Sequence, residues 1–150
     1  MKTTLKLSFL VLITILGISC NTKSQSHSEA IKVLTPTEFK EKSVNQTIID
    51  IRTPQEFSQG HIEGAVNINY YDSNFMDQIA KYDKNQPIFI YCRSGNRTSP
   101  ASRKIADFGF KEIYDLEGGI LYWIKNNNET VRYVEMANTS QSNGELKLGH

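Results

Sequence analysis

The stretch IFIYCRSGNRTSPAS, Ile88 to Ser102, decides how the rest of the chain is read. An apolar run ends abruptly at Cys92, four residues separate that cysteine from Arg97, and a helix start follows at once. Such an unbroken apolar run fits a central parallel strand covered on both faces. Beyond it, TSPASRKIADFGF reads as a helix. Thr98 or Ser99 is expected to cap it, and Pro100 falls in its first turn, where a missing N–H costs nothing. Ala101, Ile105 and Phe108 would supply its buried stripe, and Gly109 would end it.

Working outward, strand and helix signals alternate. AIKVL (30–34) reads as a short strand, and Thr35 before Pro36 marks a helix start. TIIDIR (47–52) is a compact β-branched strand ending in Asp50 and Arg52, and AVNINY (65–70) reads as another. Between them TPQEFSQGHIEGA is turn and short helix, broken by Gly60 and Gly64. Phe75, Ile79 and Tyr82 repeat at helical spacing. KEIYDL (111–116) is the last strand and GGILYWIKN (118–126) the last helix, with TVRYVEM (130–136) able to add one more strand. This alternation predicts an α/β domain with a mainly parallel sheet over residues 30–127. Residues 128–150 are expected to form a polar C-terminal extension, partly disordered.

The first nineteen residues stand outside that domain. Lys2 and Lys6, the apolar run Leu7–Ile18 and then Ser19-Cys20 follow the order of a secretory signal. The run is shorter than the ~20 residues of a membrane-spanning helix. A signal ending on cysteine resembles that of a bacterial lipoprotein, which implies lipidation of Cys20 and a domain held at the cell envelope, facing the periplasm. Residues 20–29 then read as a polar tether. Removing residues 1–19 takes two of the 17 basic residues and none of the 16 acidic ones. The remainder is near neutral, with no footprint for nucleic acid.

The chain has two cysteines. With Cys20 lipidated, Cys92 is left without a disulfide partner, and a lone thiol in an exported protein either hides in the core or works. In open parallel sheets, sites form just past the carboxyl ends of strands, where Cys92 stands. The polar loop Arg93-Ser94-Gly95-Asn96-Arg97 can curl its N–H groups inward as an anion nest, and the following helix adds partial positive charge. Both arginines flank the sulfur. Each feature favours a thiolate, the nucleophilic form. The local chemistry is therefore a nucleophilic sulfur beside an anion cradle. No metal site is expected, because Cys92 has no partner cysteine and His27, His61 and His150 are scattered.

Three stretches together resemble the single-domain rhodaneses, a sulfurtransferase family. They are DIRTPQEFSQGHIEGAVNI (50–68), YCRSGNRT (91–98) and LEGGILYW (116–123), in order over about a hundred residues. The resemblance implies a three-layer fold, a five-stranded mainly parallel sheet with helices on both faces. It also implies a two-step reaction without metal or organic cofactor. Cys92 would take the outer sulfur of thiosulfate or another sulfane donor, and pass it from a persulfide to a thiol acceptor or to cyanide. Arg93, Ser94, Gly95, Asn96, Arg97 and Thr98 would bind substrate, with Arg97 on the donor oxygens and Arg93 shaping substrate choice. Asp50 and Arg52 are expected as a strand-end ion pair, with Arg52 near the pocket. His61 is expected to be structural, Glu56 to bond backbone or pair locally, and Trp123 to pack in the core.

Two rivals remain. Phosphatases of the same fold place five residues between cysteine and arginine; the four here favour sulfur transfer. A binding module, or a protein-to-protein sulfur carrier, could share the fold without acting on thiosulfate.

Overall fold

The computed structural model describes residues 29–132. Cys20, the expected signal and the residues after Arg132 lie outside that range. The elements run β1 (Ile31–Leu34), α1 (Pro36–Lys42), β2 (Thr47–Asp50), α2 (Pro54–Ser58), β3 (Val66–Asn67), α3 (Phe75–Ile79), β4 (Ile88–Tyr91), α4 (Thr98–Asp107), β5 (Ile113–Leu116) and α5 (Gly119–Lys125). The strands form one sheet in the order β1-β5-β4-β2-β3, and every neighbouring pair is parallel. β4 is central and wholly buried, as its apolar run requires.

Alternate residues of each strand feed two cores. Ile88, Ile90 and Cys92 face one side, with Ile49, Ile51 and Ile113, under Phe75 and Ile79 of α3 and Ala101 and Ile105 of α4. Phe89 and Tyr91 face the other, with Ile48 and Leu116, under Phe39 of α1 and Ile120 and Trp123 of α5. Helices thus cover both faces, and the chain is a three-layer α/β domain. Fully burying one such aliphatic or aromatic side chain is worth roughly 1.5–3 kcal/mol.

Local chemistry explains the helix starts. Thr35 and Thr53 each cap a helix, and Glu38 and Glu56 each reach back to the cap residue's N–H, two capping boxes with proline at the start. α4 differs from expectation. Its N-cap is Arg97, already in helical backbone, with no side-chain cap. The loop coils straight into the helix, so the Thr98 hydroxyl turns back and donates to the Gly95 carbonyl at 3.0 Å.

Phe108 also departs from the predicted stripe, being 39% exposed while Phe110 is 2% exposed. α4 stops at Asp107, and Gly109 at φ +106° reverses the chain, so the second phenylalanine enters the core. Phe108 instead lies under the Lys84 ammonium, 3.6 Å from the ring centroid. Tyr82 lies beyond the end of α3 yet still packs on the core. Of the expected strand 65–70, only Val66–Asn67 pair with β2. Val131 makes a single antiparallel bridge to His61.

Candidate active site

Cys92 follows β4 directly, at the carboxyl end of the central strand. Neighbouring backbone fixes its position. The Tyr91 carbonyl accepts from the Ile51 N–H at 3.0 Å, and the Cys92 carbonyl accepts from the Ile120 N–H at 2.9 Å. The second bond brings the first turn of α5 against the loop. Gly119 makes that approach feasible: a Cβ there would lie 2.5 Å from the Cys92 carbonyl oxygen and 2.7 Å from the Arg93 carbonyl, and its φ is +60°. The glycine pair of LEGG is thus a packing device for the cysteine loop.

The loop curls under the sulfur. Gly95, at φ +92°, donates its N–H to Cys92 Sγ at 3.1 Å. Thr98 Oγ1 lies 4.0 Å from Sγ. Cys92 is 1% exposed, so the sulfur forms the closed floor of the loop. Arg93, Ser94 and Asn96 are exposed, whereas Thr98 is fully buried. Among the described residues, Gly95 is the loop amide that reaches the sulfur; a nest of several such N–H groups was expected.

Arg97 is not free. It donates from Nη1 to Glu56 Oε2 and from Nη2 to Glu56 Oε1, both at 2.6 Å. The Arg97 bonds foremost hold the Glu56 carboxyl down at about 2, and the same pairing pushes the guanidinium pKa up. The expected Arg97 open to donor oxygens is therefore a guanidinium already held at both ends. Its carbon also lies 5.8 Å from the Tyr71 ring centroid. Arg93 has no side-chain partner among the described residues.

Asp50 and Arg52 form the expected strand-end pair, Nη2 to Oδ2 at 2.6 Å, with Nε also donating to the carboxylate. Arg52 Nη2 further donates to the Gly60 carbonyl at 2.7 Å. Arg52 therefore braces the turn before His61. It also lines a cavity of about 290 Å³ with Arg93. His61 is 2% exposed and stacks on Phe57, and its Nδ1 lies 3.0 Å from the Phe57 carbonyl, a bond that requires Nδ1 to carry the proton. Trp123 packs in the core and donates from Nε1 to the Glu129 carbonyl at 2.9 Å.

Two features escaped sequence reasoning. Glu56 accepts from the local Thr53 N–H as expected, but its bidentate partner Arg97 lies on another loop. Asp115 was read only as part of a strand. It is 8% exposed, its Oδ1 has no hydrogen-bond partner, and burial pushes its carboxyl up to about 6. An acid inside the otherwise apolar IYDL was the available signal. Among the described residues, no group of three or more His, Cys, Asp or Glu side chains converges as a metal site would require.

A parallel three-layer α/β domain with a thiol at the carboxyl end of its central strand, inside a short Cys-x4-Arg loop, defines a class of cysteine-loop proteins. Residues 35–126 match the model of the rhodanese-like domain, and the chain belongs to the rhodanese-like family. It is 33% identical over 93 residues to the thiosulfate sulfurtransferase GlpE of Ectopseudomonas mendocina, covering 61% of this chain and 84% of that protein. It is 36% identical over 93 residues to the Bacillus subtilis protein YqhL, covering 62% and 72%. Among solved structures, a rhodanese-related protein from Thermoplasma volcanium superposes with a TM-score of 0.61 at 26% identity, covering 67% of this chain and 97% of that one.

Proposed function

We propose that this protein is a sulfurtransferase that moves sulfane sulfur from thiosulfate or a similar donor to a thiol through a persulfide on Cys92. The observation that carries the reading is the Gly95 N–H aimed at Sγ inside a four-residue Cys-to-Arg loop. A thiolate at Sγ attacks the outer sulfur of thiosulfate. The new S–S bond forms as the donor's S–S bond breaks, and sulfite leaves with the electron pair of that bond. The product, Cys92–S–S⁻, reacts with a protonated thiol RSH to give RS–SH and the Cys92 thiolate. Cyanide can serve as acceptor in place of the thiol. A preformed thiolate needs no general base for the first step. The Gly95 N–H supports negative sulfur.

Intact-mass spectrometry after thiosulfate treatment tests this. Wild type is expected to gain the mass of one sulfur atom, lost again on adding a reducing thiol, while Cys92→Ser gains nothing. An unmodified wild-type protein whose thiol also resists alkylation would instead favour a binding module. Steady, Cys92-dependent hydrolysis of an aryl phosphate would favour the phosphatase.

The proposal extends to location: export by residues 1–19 and a lipid on Cys20 would hold the domain at the bacterial envelope, facing the periplasm. Its support is the basic, apolar, small order of the leader ending on cysteine. Fractionation of cells making the full chain or Cys20→Ala tests it. Membrane association equal in both would refute the anchor.

A further inference from the structure

Beside the cysteine loop lies a cavity of about 290 Å³ whose wall includes Arg52, Glu56, Arg93, Leu121, Ile124 and Arg132. Its size lies just below the roughly 300–1,000 Å³ range of drug-sized ligand pockets, enough for a small acid. We propose that this cavity binds the carboxylate end of a small organic thiol, the acceptor that takes sulfur from Cys92; the inference rests on the persulfide reading above.

Charge is the first argument. The Arg52 charge is offset by Asp50, and the Glu56 charge by Arg97. Among the described residues, that leaves Arg93 and Arg132 as the lining cations without a paired acid. Arg132 donates from Nε to the Gln59 carbonyl at 2.8 Å, which orients it and leaves its two terminal nitrogens without partners among the described residues. Guanidinium groups held in this way suit carboxylates.

Shape is the second. Ile120, Leu121 and Ile124 give one wall an aliphatic face, with Leu121 48% and Ile124 52% exposed. An inorganic oxyanion would leave that face wet, whereas an acid with a short carbon chain covers it. Position is the third. Arg93 is the residue after Cys92, and α5 is tied to the loop by Ile120 N–H to the Cys92 carbonyl and Leu121 N–H to the Arg93 carbonyl. Cys92 does not line the cavity. Arg93, the next residue, does line it; in this proposal the acid anchored there offers its thiol to the persulfide, Cys92–S–S⁻ and RSH giving RS–SH and the Cys92 thiolate.

The outer wall is built by the segment that follows the matched residues. Thr130 and Arg132 fall outside the matched residues 35–126. The segment is pinned by two 2.9 Å backbone bonds between His61 and Val131. Thr130 packs on Gly60, where an added Cβ would lie 3.1 Å from its hydroxyl.

The test uses full-length protein, mercaptosuccinate as a carboxylated acceptor, 2-mercaptoethanol as an uncharged one, and succinate as a ligand without sulfur. Arg132→Ala is expected to raise the KM for mercaptosuccinate about tenfold and that for 2-mercaptoethanol less than about twofold, the loss of one charge-assisted contact. By calorimetry, succinate should bind wild type and bind Arg132→Ala more weakly by a similar factor. Equal KM changes for both thiols, or succinate binding that is absent or indifferent to Arg132, would overturn the proposal. Absence of the Cys92 persulfide would overturn the sulfurtransferase reading, while the succinate measurement still decides the cavity.

Discussion

Glu56 accepts from both terminal nitrogens of Arg97, at 2.6 Å each, across 41 residues of sequence. The same carboxylate caps α2 by accepting from the Thr53 N–H at 3.1 Å. One acid therefore ties the start of α2 to the end of the cysteine loop. Arg97 closes the loop by being held, with its charge largely spent on Glu56.

Replacing Glu56 by Gln is expected to cost about 1–2 kcal/mol at neutral pH, the worth of a partly exposed bidentate pair together with a cap bond. The carboxyl is held at about 2 in the fold against an ordinary 4.5, with Arg97 the largest cause. A depressed acid stabilises fully above its unfolded value, and the effect fades as pH falls from 4.5 toward 2. Urea midpoints at pH 7 and pH 3 should show the gap between wild type and Glu56→Gln narrowing at the lower pH. A constant gap would contradict the pairing.

Asp115 is expected to work in the opposite sense. Burial raises its carboxyl from 3.8 to about 6. A raised acid is fully stabilising below 3.8 and loses that contribution as pH climbs through 6, here roughly 2–3 kcal/mol. Asp115→Asn stays neutral throughout. Its melting temperature should exceed that of wild type at pH 7.5 and approach it at pH 4. A difference independent of pH would refute the account.

Gly119→Ala should be among the most damaging single-methyl additions. Its Cβ would meet the Cys92 and Arg93 backbone, at 2.5 and 2.7 Å, at a residue already at φ +60°. A cost above about 3 kcal/mol is expected from overpacking and left-handed strain together. A urea midpoint near that of wild type would show that α5 does not press on the loop.

Gly95→Ala separates the loop's chemistry from its stability. A Cβ there meets nothing within 4 Å, so the cost is the φ of +92° alone, about 1–2 kcal/mol. The backbone shift that relieves it moves the N–H off Sγ. Sulfur loading from thiosulfate, followed by mass, should slow roughly tenfold, as when an anion-stabilising donor is lost. Unchanged loading would mean that the 3.1 Å contact has no part in the reaction.

Much of the fold was legible because its signals are local. The apolar run before Cys92 fits a covered central strand, and Thr35 before Pro36 marks a helix start that Glu38, three residues on, completes as a capping box. Phe108 against Phe110 was not legible: helical spacing favoured the first, and only the reversal at Gly109 admits the second. The missing cap on α4 has the same origin, since Arg97 takes helical backbone before the helix begins.

For the site, sequence by itself singled out Cys92 as the candidate nucleophile and set the loop length, because spacing along the chain sets which backbone groups can curl around a sulfur. Tertiary structure decided what each charge does. Glu56 and Arg97 meet across 41 residues. Asp115 lies under α4 with an unpaired oxygen. Arg132 comes to the cavity beside Arg93 through the Val131 bridge to His61. Charges act through space, so their partners are set by packing and not by order in the chain.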